Sequence, residues 1–147
     1  MEYNLDLKQV NENDERFLYE LLEERKSITY ISHKKMPTYE EHVKFVRSRP
    51  YSKWYIINVN GEKAGSIYLT KQNEIGIFVS EQLQKKGVGS NALNALIEKN
   101  VGLRYLANIN PENRKSVDFF EKSGFRLIQH TYKITIDKKD KSYEEEN

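Results

Sequence analysis

The sequence predicts an α+β fold in a single domain, with elements in the order β-α-α-β-β-β-α-β-α-β. Three observations carry this. Short apolar or alternating runs recur along the chain, separated by segments of helical period. Asn60-Gly61 lies between two strand-like runs, which is a strong hairpin signal. An apolar run from Ile75 to Val79 passes through a glycine-bearing turn into a helix-like run, Asn91 to Ile97.

Each element has its own local reason. Tyr3 to Val10 alternates apolar and polar and reads as a strand. Asn13 or Asp14 can cap a helix that carries Phe17, Leu18, Leu21 and Leu22 on one face and fades near Arg25-Lys26-Ser27. Residues 27–37 have no clean period; they mix aromatic, hydroxyl, histidine and lysine side chains, and Pro37 ends them. Thr38-Tyr39-Glu40-Glu41 is a capping box for a helix bearing His42, Val43, Phe45 and Val46, closed by Pro50. Trp54–Val59 and Ala64–Leu69 form the hairpin, and Lys71-Gln72-Asn73 turns into the chain's fourth strand, beginning at Glu74. Gly76 interrupts that strand. A glycine there marks a bulge, a close backbone approach, or a gap beside a large neighbour. Leu103–Ile109 reads as a further strand. The next helix starts near Glu112 or Asn113, after Pro111, and ends at Gly124, which suits the left-handed residue past a helix end. Phe125 to Ile136 gives a last strand. Residues 1–137 are expected to form the domain, and 138–147 a charged, disordered tail.

Composition narrows the function. A length of 147 residues suits one domain with one core. With 31% charged and 37% hydrophobic residues the chain is expected to be globular and water-soluble. The formal net charge of +2 does not call for a nucleic-acid partner. The absence of cysteine excludes disulfides, thiolate metal sites and a cysteine nucleophile. The first residues do not read as a signal peptide, and no apolar run approaches the roughly 18 residues of a membrane span. A cytoplasmic enzyme or binding module, with no membrane partner and no metal, is the expectation.

The stretch from Phe78 to Ser90 holds the most chemistry. Gly87 and Gly89 allow a ligand close to the main chain, and Ser90 falls near the first helical turn, where free N–H groups point outward. Such an end attracts phosphate, and Lys85 and Lys86 add positive charge. No Lys-Ser or Lys-Thr follows Gly89, so this is not a P-loop. Ala92 stands where a dinucleotide fingerprint has its last glycine, and no acidic residue follows at the expected spacing. Two readings stand for the turn: a pyrophosphate cradle, or a loop with a glycine-assisted helix start.

Gln84-x-x-Gly87-x-Gly89 resembles motif A of the GNAT (GCN5-related) N-acetyltransferases, the Gln/Arg-x-x-Gly-x-Gly/Ala loop whose backbone amides hold the pyrophosphate of acetyl-coenzyme A. Downstream, Asn113-Arg114-Lys115-Ser116 and Phe120-Glu121-Lys122-Ser123-Gly124-Phe125 resemble the family's Asn-x-x-Ser…Tyr-x-x-x-Gly-Phe segment. The order and separation of the two motifs also fit, and the resemblance spans nearly the whole chain. It implies a mixed sheet that splays between its fourth and fifth strands, with the pantetheine arm entering between Ile75–Val79 and Leu103–Ile109. It further implies that main-chain groups of Ile77, Phe78 and Val79 bind pantetheine and polarise the thioester carbonyl. The loop from Gln84 through Lys85, Lys86, Gly87, Val88 and Gly89 to Ser90 would bind the pyrophosphate. Asn113 would hydrogen-bond the pantetheine region, or simply cap its helix. Lys115 would meet a phosphate or only solvent. Phe120 stands where the family's tyrosine acid would fall, which leaves Ser116, a nearby tyrosine or water as the proton donor.

Deprotonating the acceptor ammonium needs a base. Glu74 heads the fourth strand and resembles the base of some family members; His33 and His42 compete with it, and a histidine has a suitable unperturbed pKa. Each also has a plain reading, a solvated strand-end charge for Glu74 and a polar packing residue for each histidine. Arg25, Lys26, Lys34 and Lys35 make the first loop basic, which suits an anionic acceptor. Ser27 to Thr38 with Trp54-Tyr55 is similar to family members that acetylate amino sugars or nucleotide-linked sugars. A protein N-terminus, a ribosomal protein, a polyamine or an antibiotic also stays open, and a homodimer is one assembly the sequence allows. Two rivals come from other classes. Phe120 suggests a non-catalytic acyl-coenzyme A-binding module, and the lysines and tyrosines suggest a nucleic-acid-binding domain, against which the near-neutral charge speaks.

Overall fold

The computed structural model describes residues 3–28, 35–84, 86–102 and 104–136. A four-stranded antiparallel sheet runs in the order β1-β2-β3-β4, formed by Leu5–Gln9, Lys53–Val59, Glu62–Leu69 and Ile75–Val79. Between β1 and β2 come α1 (Glu15–Ile28) and α2 (Tyr39–Arg47); after β4 come α3 (Val88–Lys99) and α4 (Arg114–Lys122). The architecture is thus α+β, as the sequence implies.

Local chemistry sets the boundaries. Thr38 and Glu41 close the capping box of α2 reciprocally, at 2.8 and 3.1 Å. Before α1, Asn11 rather than Asn13 or Asp14 is the cap: its side chain accepts from the Asn13 N–H, and Asp14 answers on the Asn11 N–H. The expected cap there is one turn too late because a 3₁₀ turn, Glu12–Asp14, precedes the helix. At the hairpin Asn60 and Gly61 both have positive φ, 53° and 83°, which matches the strand twist. Gly124 ends α4 at φ 99°.

The last two expected strands differ. Of the expected strand Leu103–Ile109, the described residues contribute one parallel bridge, Glu74 to Leu106. The segment after Gly124 joins no sheet among the described residues; Tyr132, Ile134 and Ile136 are 88%, 81% and 85% exposed. Alternation gives a strand its faces, but only a neighbour's N–H and C=O groups make it one. The expected tail, residues 138–147, lies outside the described residues. Among those described, no helix is long and apolar enough to cross a membrane.

The sheet is covered on both faces. Ile57, Ile67, Leu69, Ile75 and Val79 pack with Val88, Ala92, Leu93 and Leu96 of α3 and with Phe120 of α4. Ile56, one residue from Ile57 and so on the opposite face, packs with Leu18 of α1 and Val46 of α2.

Candidate active site

The turn between β4 and α3 is built by its own side chains. The Gln84 carboxamide N–H donates to the Val79 carbonyl at 2.8 Å and folds the loop back onto the strand end. Gly87 stands at φ 79°, a conformation costly for other residues, and begins α3 with no side-chain cap. The first-turn N–H groups of Val88, Gly89 and Ser90 therefore meet no capping side chain. The Tyr3 hydroxyl donates to the Lys86 carbonyl at 3.1 Å and accepts from the Asn91 amide at 2.9 Å, bracing the loop from just before the first strand. Lys86 and Ser90 are exposed; Lys85 lies outside the described residues.

Several expected ligand-binding residues have structural duties instead of, or besides, that role. The Gln84 donor is engaged by β4. The Val88 side chain is core at 1% exposure, so only its backbone belongs to the loop. A Cβ on Gly89 would lie 3.1 Å from the Phe119 ring, so this glycine admits α4 as a neighbour. Asn113 caps α4, its Oδ1 accepting from the Ser116 N–H at 3.3 Å. Lys115 is exposed and Ser116 half-buried. Phe120 is buried between Phe119 and Phe125, ring centroids 5.0 and 5.1 Å away, where a phenol would need a partner.

The outer edge of β4 is paired once. The Ile75 N–H donates to the Leu106 carbonyl at 2.7 Å, and the Leu106 N–H donates to the Asn73 carbonyl at 2.9 Å. Among the described residues the ladder stops there, which leaves the outward main-chain groups of Ile77 without a strand partner, while the Val79 carbonyl accepts from Gln84. Glu74 sits at the bridge. Its carboxylate accepts from Asn108 at 2.7 Å and from the Thr70 hydroxyl at 3.2 Å, so it joins β4 to the following segment.

On the face toward α1 and α2 there is a cavity of about 500 Å³ that reaches Ile77 and Phe78 of β4. Its wall is aromatic. Tyr51 stacks on Tyr68 at 3.8 Å and meets Trp54 edge-on at 4.8 Å, with Phe45 6.0 and 6.1 Å from Tyr51 and Trp54. Gly76 is the cross-strand partner of Tyr68, and a Cβ there would fall 2.0 Å from the Tyr68 ring. Gly76 is thus the gap beside a large neighbour. Burial pushes the Tyr51 phenol well above its usual pKa. The Trp54 indole N–H donates to Ser66 at 2.8 Å. His42 is 5% exposed, lines the cavity, and its Nε2 has no hydrogen-bond partner. Desolvation holds its pKa below 6.5, against a weaker opposing pull from Glu15. Glu15 is itself buried and paired with Arg47 at 2.8 Å, which ties α1 to α2.

Sequence reasoning missed Tyr51 and Tyr68. Gly76 was the available signal: counting back through the β3–β4 turn sets Tyr68 opposite it. His33 lies outside the described residues, as do Lys34 and the Lys26 side chain, while Arg25 lines the cavity and Lys35 is exposed.

A search of curated proteins gives no match. Solved structures do resemble this chain. A domain from Methanocaldococcus jannaschii is 25% identical, with TM-score 0.74, covering 88% of this chain and 93% of that one. RimL, a ribosomal L7/L12 alpha-N-protein acetyltransferase in complex with coenzyme A, is 23% identical, with TM-score 0.69 and coverage of 85% and 81%. Spermidine N-acetyltransferase from Vibrio cholerae, in complex with CoA and spermine, is 19% identical, with TM-score 0.73 and coverage of 86% and 83%. These likenesses show a shared fold. The model of the Acetyltransferase (GNAT) family matches residues 16–125, most of the chain. With the motifs and the fold in agreement with it, this chain belongs to the GNAT family of acetyltransferases.

Proposed function

We propose that the protein moves an acetyl group from acetyl-coenzyme A to a primary amine seated in the aromatic cavity. The observation that carries this reading is the β4–α3 junction: an uncapped helix start at a left-handed glycine, beside a strand edge paired once. The residues fit the coenzyme. The amides of α3 suit a pyrophosphate, exposed Lys86 adds charge, and the free edge of β4 suits an extended amide-bearing arm. RimL and the spermidine enzyme, by name, act on a protein N-terminus and on a polyamine, and both were solved with coenzyme A.

The amine nitrogen attacks the thioester carbon. A C–N bond forms, the C–S bond breaks with its electron pair going to sulfur, which leaves as a thiolate, and the nitrogen's proton leaves through a base. We assign the base to His42. It lines the cavity, is held neutral by burial, and has an unpartnered nitrogen, whereas Glu74 is held by Thr70 and Asn108 outside that lining. Phe120 gives no proton to the sulfur. A thiol of pKa roughly 8.5, the cysteine reference, still leaves tolerably as a thiolate near neutral pH. The amino-sugar acceptor is the finer reading of the basic first loop. Of that loop's flanking cations, Arg25 alone is found in the described lining.

Calorimetric titration of coenzyme A tests the junction. Wild type should bind, and Lys86→Glu should bind roughly ten-fold more weakly; absence of binding by wild type would sink the reading. For the base, His42→Gln should lower the rate by about 10²–10⁴-fold and Glu74→Gln by less. The reverse order moves the role to Glu74.

A further inference from the structure

We infer that the acceptor is an arylalkylamine, a primary amine carried on an aromatic body, rather than a polyamine or a sugar. This rests on the acetyltransferase reading for the reaction, but the cavity itself supplies the chemistry of recognition. About 500 Å³ lies within the range of small-molecule pockets. Phe45, Tyr51, Trp54 and Tyr68 offer ring edges and faces, which favour an aromatic guest. Leu18, Leu21 and Leu22 of α1 add aliphatic lining.

The polar groups argue in the same direction. The Trp54 N–H donates to the Ser66 hydroxyl, and Glu41 accepts from the Thr38 N–H in its capping box. The charged residues of the described lining are Arg25 and Glu41, one of each sign. A polyamine carries several ammonium groups and would need several carboxylates. A nucleotide-linked sugar carries phosphates and many hydroxyls, each costly to desolvate unpaired. An arylalkylamine has a single polar atom, its nitrogen, and so brings the fewest groups that an aromatic and aliphatic lining would leave unpaired.

The chain has one tryptophan, and it lines the cavity, so its fluorescence reports occupancy without any turnover. 2-Phenylethylamine, spermidine and a nucleotide-linked amino sugar are each titrated into the full chain, alone and with coenzyme A. A saturable change is expected with 2-phenylethylamine, with at least roughly ten-fold weaker responses to the other two. Leu22→Trp adds a second fluorophore but fills the cavity, so for that variant 2-phenylethylamine is followed by calorimetry, with circular dichroism to verify the fold. Phe45→Ala, at a residue 45% exposed, keeps the native tryptophan. Each should weaken 2-phenylethylamine about ten-fold. Tighter binding of spermidine or the amino sugar, or no response to any amine, overturns the inference. Thiol release from acetyl-coenzyme A separates the two readings. If 2-phenylethylamine binds but no amine is acetylated, the cavity assignment stands and the transferase reading falls. If a polar amine is acetylated while 2-phenylethylamine does not bind, the cavity assignment falls and the transferase reading stands.

Discussion

The two faces of the sheet are packed by different rules. Toward α3 and α4 the side chains are mostly aliphatic and fully buried: Ile57, Ile67 and Leu96 are at 0% exposure. Toward α1 and α2 the buried aliphatic cluster is small, Leu18, Val46 and Ile56, and beside it lie rings, a histidine and an open volume. Both faces are fed by the same strands, because neighbouring residues point to opposite sides. One face therefore carries most of the stability, while the other can hold space and polar atoms that a core would not tolerate.

If this division is right, truncation should be far costlier on the α3 face. Leu96→Ala or Ile67→Ala removes atoms with no solvent exposure and should cost about 2–5 kcal/mol. Phe45→Ala, half-exposed at the cavity rim, should cost below about 1 kcal/mol. Urea unfolding of the three variants measures the contrast. Equal losses on both faces would break it.

A smaller effect is expected where the two faces meet in one residue pair. Gly76→Ala places a methyl inside the Tyr68 ring position, so the ring must leave its stack with Tyr51. The cost should be about 1–3 kcal/mol, the range for overpacking. It should come with a shifted Trp54 emission, since Tyr51 touches both Tyr68 and Trp54. A normal emission spectrum in a destabilised Gly76→Ala protein would mean that the strand, not the aromatic wall, had absorbed the methyl.

What was legible in the sequence follows the range of the interactions. The Thr38–Glu41 box, the Asn60-Gly61 hairpin and the Gly124 stop are each decided within a few residues, and each stands as read. The glycine loop was legible as a strand-to-helix turn, but the engagement of Gln84 by Val79 was not, since nothing local says where a carboxamide will point. Tyr132, Ile134 and Ile136 alternate as a strand should, yet pairing depends on a distant partner that the residues themselves do not name. The cavity was hidden for the same reason. Phe45, Tyr51, Trp54 and Tyr68 come from a helix, a loop and two strands, and only the β2–β3–β4 registers bring them together.

The smallest expected effect belongs to His42, and it appears only as pH falls. Burial lowers its pKa below 6.5 in the folded chain, so the unfolded chain takes up the proton first. The fold is then penalised as pH drops below about 6.5 and is unaffected by this group above it. Glu15 opposes the shift and sets its limit. Glu41 titrates in a separate window: its pKa lies below 4.5, first because of its hydrogen bond to the Thr38 backbone, so its contribution is held above 4.5 and lost under stronger acid. His42→Leu keeps an apolar side chain of similar bulk and removes both the titration and the unpartnered nitrogen. Its melting temperature should equal or exceed that of the wild type at pH 7 and should fall less steeply between about pH 6.5 and 5. The acid limb below 4.5 should be shared by both proteins. Parallel curves between 6.5 and 5 would mean that His42 is solvated in both states, and the contrast between a dry core face and a polar, hollow one would lose its histidine.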